Sequence, residues 1–465
     1  MKWSRDTKVS RSWQLCCAIL RGVTSLTALY RDHAATLLAA YARALETAEL
    51  DAVVLHSGSP QKRTVFDDQY WPLRPVPHFQ HWAPIAEADC FVIVTKEGAK
   101  LWRKKVTSVW ERPQPLSCPH VLEVLSACMF KELDEVRAAL PKGRLALVSE
   151  NAAVAERLGL DASAWNPERL MKEIDPLRAR KTPYEAHCLR VANEIAAHGH
   201  RTLEEAFRDG DHSELDLHLA FLKATRQDAT DTPYTNIVAV GENAAILHHI
   251  SYERNPRGAQ SLLVDAGATY MGYCSDITRT WAKGTNEVAN KFTFLLERVE
   301  KMQQDLCHSV QLGQAYEVLH NAAHLEVANI LRDAGVINVP AQEAVDRGVT
   351  RTFFPHGLGH SLGLQCHDIG CAEMPTETKS SALRGNFPIR VGQSFTIEPG
   401  IYFIDTLLDQ ARADERSSAI VWREVEQLAV LGGIRIEDDL LVTGGPSVVE
   451  NFTRDYLPLG GANVS

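Results

Sequence analysis

One histidine and four carboxylates, Asp265, Asp276, His360, Glu398 and Glu437, stand apart in this chain because each lies inside a distinctive local motif. Five such donors suffice to hold two divalent ions and activate a water, so the leading chemistry is metal-dependent hydrolysis. Asp265 closes the apolar run of SLLVDAGATYMGYCSDITRTW, residues 261 to 281. Asp276 follows a Gly-punctuated turn and precedes the β-favouring Ile277, Thr278, Thr280 and Trp281. This pattern predicts a hairpin that carries two carboxylates toward one pocket. Taken singly, either aspartate reads more readily as a turn or cap residue.

The next donors lie in FFPHGLGHSLGLQCHDIG, residues 353 to 370, where His356, His360 and His367 alternate with Gly357, Gly359 and Gly363. Glycines let backbone pass close to a ligand. A spacing of four between His356 and His360 suits a helix face, yet two intervening glycines argue against a regular helix, and the segment is not an HExxH site. Glu398 in SFTIEPGIYF (394–403) and Glu437 in GGIRIEDDLLV (432–442) follow short β-like runs. A carboxylate buried in such a run needs a cation. The plain alternatives are a sheet-edge Glu398 before Pro399–Gly400 and a Glu437–Arg435 ion pair. Hard oxygen donors with no cysteine in the set favour manganese, then cobalt or zinc, over a thiolate-bound metal.

These donors need a frame. Apolar residues recur at helical spacing over 184–208, 213–225, 288–308 and 314–334, while all five donors fall on later β-like segments. Pro176 and Pro183 bracket a basic link, so a smaller α/β domain over 27–175 and a larger catalytic domain over 176–465 are expected. Residues 1–26 read as an added extension: Arg21 ends the apolar stretch WQLCCAIL early and no cleavage pattern follows. The chain has 465 residues, is 45% hydrophobic and carries 49 basic against 59 acidic residues, a net charge of −10. That balance gives no footing for nucleic acid, and no apolar run has membrane-spanning length. Ten cysteines without a CxxC pair suggest reduced thiols in a cytoplasm.

At these motifs the chain resembles the pita-bread-fold metallopeptidases, and among them the bacterial Xaa-Pro dipeptidases, or prolidases, from about Thr27 to Tyr456. The resemblance implies an α/β architecture: a smaller N-terminal α/β domain and a creatinase/aminopeptidase-like domain with a curved mixed sheet flanked by helices. It implies a dinuclear centre in which Asp276 and Glu437 touch both ions, Asp265 serves one, and His360 with Glu398 serves the other. It further implies that Glu398 shuttles the proton, that His248 in ENAAILHH (242–249) lies near the scissile bond, and that His367 contacts the substrate carbonyl. His356 and Arg435 would receive the C-terminal carboxylate. Tyr234, Leu247, Tyr316 and Cys366 would line the pocket. Asp68 in FDDQYWP (66–72), joined by Trp110, would reach the active site of a second subunit in a homodimer and meet the substrate's ammonium.

The implied reaction is release of proline from Xaa-Pro dipeptides. An aminopeptidase P acting on longer peptides, a non-catalytic peptide-binding module and a phosphotriester side activity are the alternatives. Three positions depart from the family pattern: His249 and Cys366 replace a usual tyrosine and valine, and Phe387 stands where an arginine is usual. Altered preference is the expected consequence.

Overall fold

A computed structural model describes residues 25–461 apart from 111, 113–115, 117, 369–382 and 385. The expected extension thus lies outside the described residues except for its last two, Ser25 and Leu26. Ser25 caps helix α1 (Leu26–Thr47), its side chain accepting from Ala28 N. One apolar face of α1, with Tyr30, Leu37, Tyr41 and Leu45, packs on a five-stranded mixed sheet. Its strands are β1 (Ala52–His56), β2 (Phe91–Thr95), β3 (Ala99–Lys104), β4 (Ser126–Phe130) and β5 (Leu145–Val148). The order is β4-β3-β2-β1-β5, with β1–β5 and β3–β4 parallel and the other pairs antiparallel.

Beyond this sheet, the chain enters α2 (Pro183–Asp209) through a reciprocal capping box between Thr182 and Glu185, with Pro183 in the first turn. Ser213 and Asp216 repeat the device at α3 (Glu214–Thr225). The long helices α4 (Glu287–His308) and α5 (Tyr316–Asp333) follow. All four lie where the helical spacing predicts them, within two residues at either end.

Strands β6 (Ile237–Val240), β7 (Ser261–Asp265) and β8 (Thr278–Ala282) form an antiparallel sheet ordered β8-β7-β6. Strands β9 (Ser394–Ile397), β12 (Asp438–Val442) and β13 (Val449–Asn451) form a second, ordered β9-β12-β13. Between them lies the pair β10 (Gly400–Tyr402) and β11 (Gly433–Arg435). A β-bridge between Thr278 and Glu437 stitches the first sheet to the others.

The helices pack outside this curved surface. Phe292, Leu295 and Val299 of α4 and Leu319, Val327 and Leu331 of α5 share a core with Phe395, Ile397, Ile401, Ile434 and Leu440. A second core joins α1 and the first sheet to Tyr184, Leu189, Tyr273 and Leu362 of the later chain. Burial of this kind, at about 25 cal/mol per Å² of apolar surface, holds the two parts together.

Candidate metal centre

The predicted hairpin exists with an elaboration. Asp265 ends β7 and Thr278 stands opposite it at the start of β8, so Asp276 lies two residues before the strand. A two-residue ladder, Thr269–Tyr270 with Tyr273–Cys274, fills the turn. The approach is tight, since a side chain at Gly267 would strike the Ser275 carbonyl. Tyr234 Oη lies 2.7 Å from both Asp265 Oδ1 and Asp276 Oδ1. One phenolic hydrogen cannot serve two ionised carboxylates, and a cation between them removes the conflict.

Glu437 sits between β11 and β12 and begins three consecutive acids whose directions alternate as a strand demands. Glu437 faces inward and accepts from Thr278 Oγ1 at 2.7 Å. Asp438 faces away to Arg279 and Arg454. Asp439 returns to the inner side, where it accepts from the backbone N of Asp276 at 3.0 Å and from Asn193 at 2.8 Å. Asp439 therefore fixes Asp276 from behind. Glu398 lies between β9 and β10.

His360 follows Gly359, where any Cβ would collide with the Thr396 carbonyl and the Tyr316 hydroxyl. Its Nε2 lies 3.4 Å from Asp276 Oδ2, 3.6 Å from Glu398 Oε1 and 4.0 Å from Glu437 Oε1. Nδ1 faces the Ser361 carbonyl at 3.1 Å, which orients the ring.

Four buried or half-buried carboxyls thus gather around His360 and Arg435. Burial, reinforced by the neighbouring carboxylates, raises the acids: Glu398 to about 7, and Asp265 and Glu437 upward, although Arg435 pulls each back. Asp276 moves down to about 2, because hydrogen bonds and charge from His360, with Cys366 and Tyr234, together outweigh its burial. Burial also opposes charge on His360, but Asp276 and Glu398 prevail and raise it to about 9. Excess buried negative charge with oxygen donors converging on one space suits divalent cations. Ligand atoms of Asp276, His360 and Glu437 all lie within 4.8 Å of one another.

The centre forms the floor of a cavity of about 470 Å³. Tyr234, Leu247, His248, His356, Cys366, His367 and Arg435 are on its wall. Tyr316 is not. It is buried in the α5 core, donates to the Thr396 carbonyl at 2.7 Å and stacks on Phe387 with ring centres 5.0 Å apart. Asp68 is exposed and lies off the cavity of its own chain.

Arg435 faces the cavity, but its donors go to Asp265 Oδ2 at 2.6 Å, Tyr402 Oη at 3.0 Å and Thr278 Oγ1 at 3.0 Å. It does not pair with Glu437, the plain alternative at the sequence level. His356 is held by Tyr402 Oη and the Gly357 carbonyl. His249 turns away from the cavity to Glu214 at 2.7 Å, anchoring the loop that presents His248. Thr278, Tyr402, Asp439 and the wall residue Arg384 have site roles that the motifs did not single out. Alternation along EDD was the signal available for Asp439.

Residues 187–444 match metallopeptidase family M24, and residues 28–175 match the Xaa-Pro dipeptidase N-terminal domain family. The chain belongs to metallopeptidase family M24. A Xaa-Pro dipeptidase of Pseudoalteromonas haloplanktis is 38% identical over 445 residues, covering 93% of this chain and 99% of that protein. A Xaa-Pro dipeptidase of Escherichia coli O9:H4 is 36% identical over 446 residues, with the same coverage. The fold is that of proline aminopeptidase P II from Yersinia pestis, with a TM-score of 0.67 and 22% identity over 92% of this chain and 96% of that one. The divalent-metal dependence of M24 enzymes fits the carboxylate-rich floor described above. Among the described residues, no helix is long and apolar enough to cross a membrane.

Proposed function

We propose that this M24 enzyme is a dinuclear-metal Xaa-Pro dipeptidase that hydrolyses the imide bond and releases C-terminal proline. The observation that carries the reading is the convergence of Asp265, Asp276, His360, Glu398 and Glu437 on one cavity floor, in a chain that matches Xaa-Pro dipeptidases over almost its whole length. Two divalent ions held there, manganese first by the hardness of the donors and cobalt or zinc next, would polarise the carbonyl and lower the pKa of a water.

The protein's own groups do the rest. Glu398 borders the floor beside His356 and His360, at 3.7 and 3.6 Å, so it can take the proton from the attacking water and give it to the proline nitrogen. His367 and His248 stand on the wall for the carbonyl and the scissile bond. An Xaa-Pro bond is a tertiary amide without an N–H, so the wall needs no acceptor at that position. Leu247 and Ile250 give the side chains an apolar surface.

Arg384 fits the dipeptide's carboxylate better than Arg435. No carboxylate partner of Arg384 occurs among the described residues, whereas Arg435 is occupied with Asp265 and Tyr402. A planar guanidinium grips a carboxylate through two parallel hydrogen bonds.

Restriction to dipeptides is assigned to a second copy of the chain. Phe66, Val109 and Trp110 expose 97%, 92% and 93% of their surface, which suits burial in a homodimer that brings Asp68 to the partner's cavity mouth. None of the described cysteines is in a disulfide, in keeping with a cytoplasmic enzyme.

The test is proline release by metal-stripped protein reloaded with manganese, comparing an Xaa-Pro dipeptide, its tripeptide extension and an Xaa-Ala control. Dipeptide-selective release upholds the reading. Tripeptide cleavage replaces it with aminopeptidase P activity, the second reading. No cleavage with two ions bound would leave a peptide-binding module.

A further inference from the structure

Cys366 brings to the cavity a donor that the carboxylate set lacks. Its Sγ lies 2.8 Å from Asp276 Oδ2, an oxygen that also faces His360. Donor atoms of His360, Cys366 and His367 lie within 4.8 Å of one another, as do those of Asp276, His360 and Glu437. The His360 and His367 rings meet edge to face with centres 4.3 Å apart. His360 therefore belongs to two donor sets, one of hard oxygens and one of two nitrogens and a sulfur. Its Nδ1 is engaged with the Ser361 carbonyl, so only Nε2 is left for an ion, and the two sets compete for it.

We propose that this chain captures a soft divalent ion such as cadmium at His360, Cys366 and His367, displacing the hard ion that the carboxylates would hold at His360. The inference rests on the dinuclear reading and extends it to which ions the centre accepts. Hard ions prefer carboxylates, whereas thiolate and imidazole favour softer ones. On capture the Cys366 S–H bond breaks, the proton leaves to solvent, and a sulfur–metal bond forms without change of oxidation state. Because His367 is then a ligand, it is lost to the substrate, so the captured ion inhibits. The residue at 366 thereby sets the enzyme's tolerance of soft metals. A valine there could not.

Manganese-loaded full-length protein is titrated with Cd²⁺ while released Mn²⁺ is followed by its electron paramagnetic resonance and sulfur ligation by the ultraviolet sulfur-to-cadmium charge-transfer band. Wild type is expected to release manganese as the band grows. Cys366→Val and Cys366→Ser should lack that band and need roughly tenfold or more cadmium for release, the scale on which perturbed ligation weakens metal binding. His367→Ala should keep the band but shift its midpoint upward. Circular dichroism melts of the loaded variants check folding, and either Cys366 variant suffices. The same band and release midpoint in both Cys366 variants would overturn the proposal. Manganese-dependent dipeptide hydrolysis with no Cys366-dependent band would keep the proposed function and sink this inference. A Cys366-dependent band without hydrolysis would do the reverse.

Discussion

The residues of the cavity carry two kinds of work that substitution separates. Asp276 is held by Tyr234, Cys366 and its own backbone bond to Asp439, so Asp276→Asn keeps its shape and neighbours while removing one negative charge. Activity is expected to fall at least ~100-fold, the lower range for losing a proton-transfer or metal-ligating group. The metal-free variant should still fold, with a lowered melting temperature, because the charge that His360 favours at this position is gone. Full activity in this variant would end the dinuclear reading. Arg384→Ala, by contrast, should raise KM for the dipeptide by about tenfold, close to 1.4 kcal/mol, with little change in kcat, because it removes binding felt equally by substrate and transition state. A fall in kcat at constant KM would instead place Arg384 in the chemistry. The motifs exposed the five donors because ionisable residues within apolar runs are conspicuous. Thr278 and Tyr402 were invisible, since a threonine and a tyrosine in a strand are ordinary until the neighbouring strand brings Arg435 to them.

At the scale of elements, the loop before β9 and the N-terminus of α2 are the sensitive joints. Gly359 lets the His360 loop lie against β9, with Tyr316 of α5 closing the gap through its bond to the Thr396 carbonyl. Gly359→Ala should cost about 1–3 kcal/mol by overpacking and weaken metal binding by moving His360, measurable by melting and by metal titration. Unchanged metal affinity would show that the close approach does not position the histidine.

The α1–α2 seam holds His33, whose Nδ1 meets Thr182 Oγ1 and whose Nε2 meets the His81 carbonyl, both at 2.8 Å. Burial holds His33 down at about 4 despite the pull of Glu185. The unfolded chain titrates near 6.5, so between those values it binds a proton that the folded chain refuses. Stability is therefore full above pH 6.5 and falls as pH drops toward 4, by about 3 kcal/mol for this group. His33→Gln should flatten that part of the melting-temperature profile, and an unchanged slope would remove His33 as a cause. Apolar spacing made α2 legible, but no helix was expected at α1, and nothing in the local sequence said that His33 would be sealed against the start of α2.

For the whole molecule, the central question is what covers the exposed aromatic residues of the N-terminal part. If a second copy does, Phe66→Asp with Trp110→Asp should give monomers by sedimentation and admit tripeptides, whereas retained dimers with unchanged selectivity would place the interface elsewhere. The sequence by itself singled out the five candidate metal donors and the four long helices, because each rests on local composition or spacing: a charged residue in an apolar run, a 3.6-residue period; the expected two-part organisation came with the family resemblance. Tertiary structure decided the partners. Arg435 could have neutralised Glu437, two residues away, yet it serves Asp265 on another strand. Tyr316 could have faced substrate, yet it closes the core behind His360. Cys366 could have been inert lining, yet it meets the Asp276 carboxylate. Such choices depend on which segments of the curved sheet and its loops come within a few ångströms of each other, and a hydrogen bond or ion pair forms across space without a fixed interval along the chain.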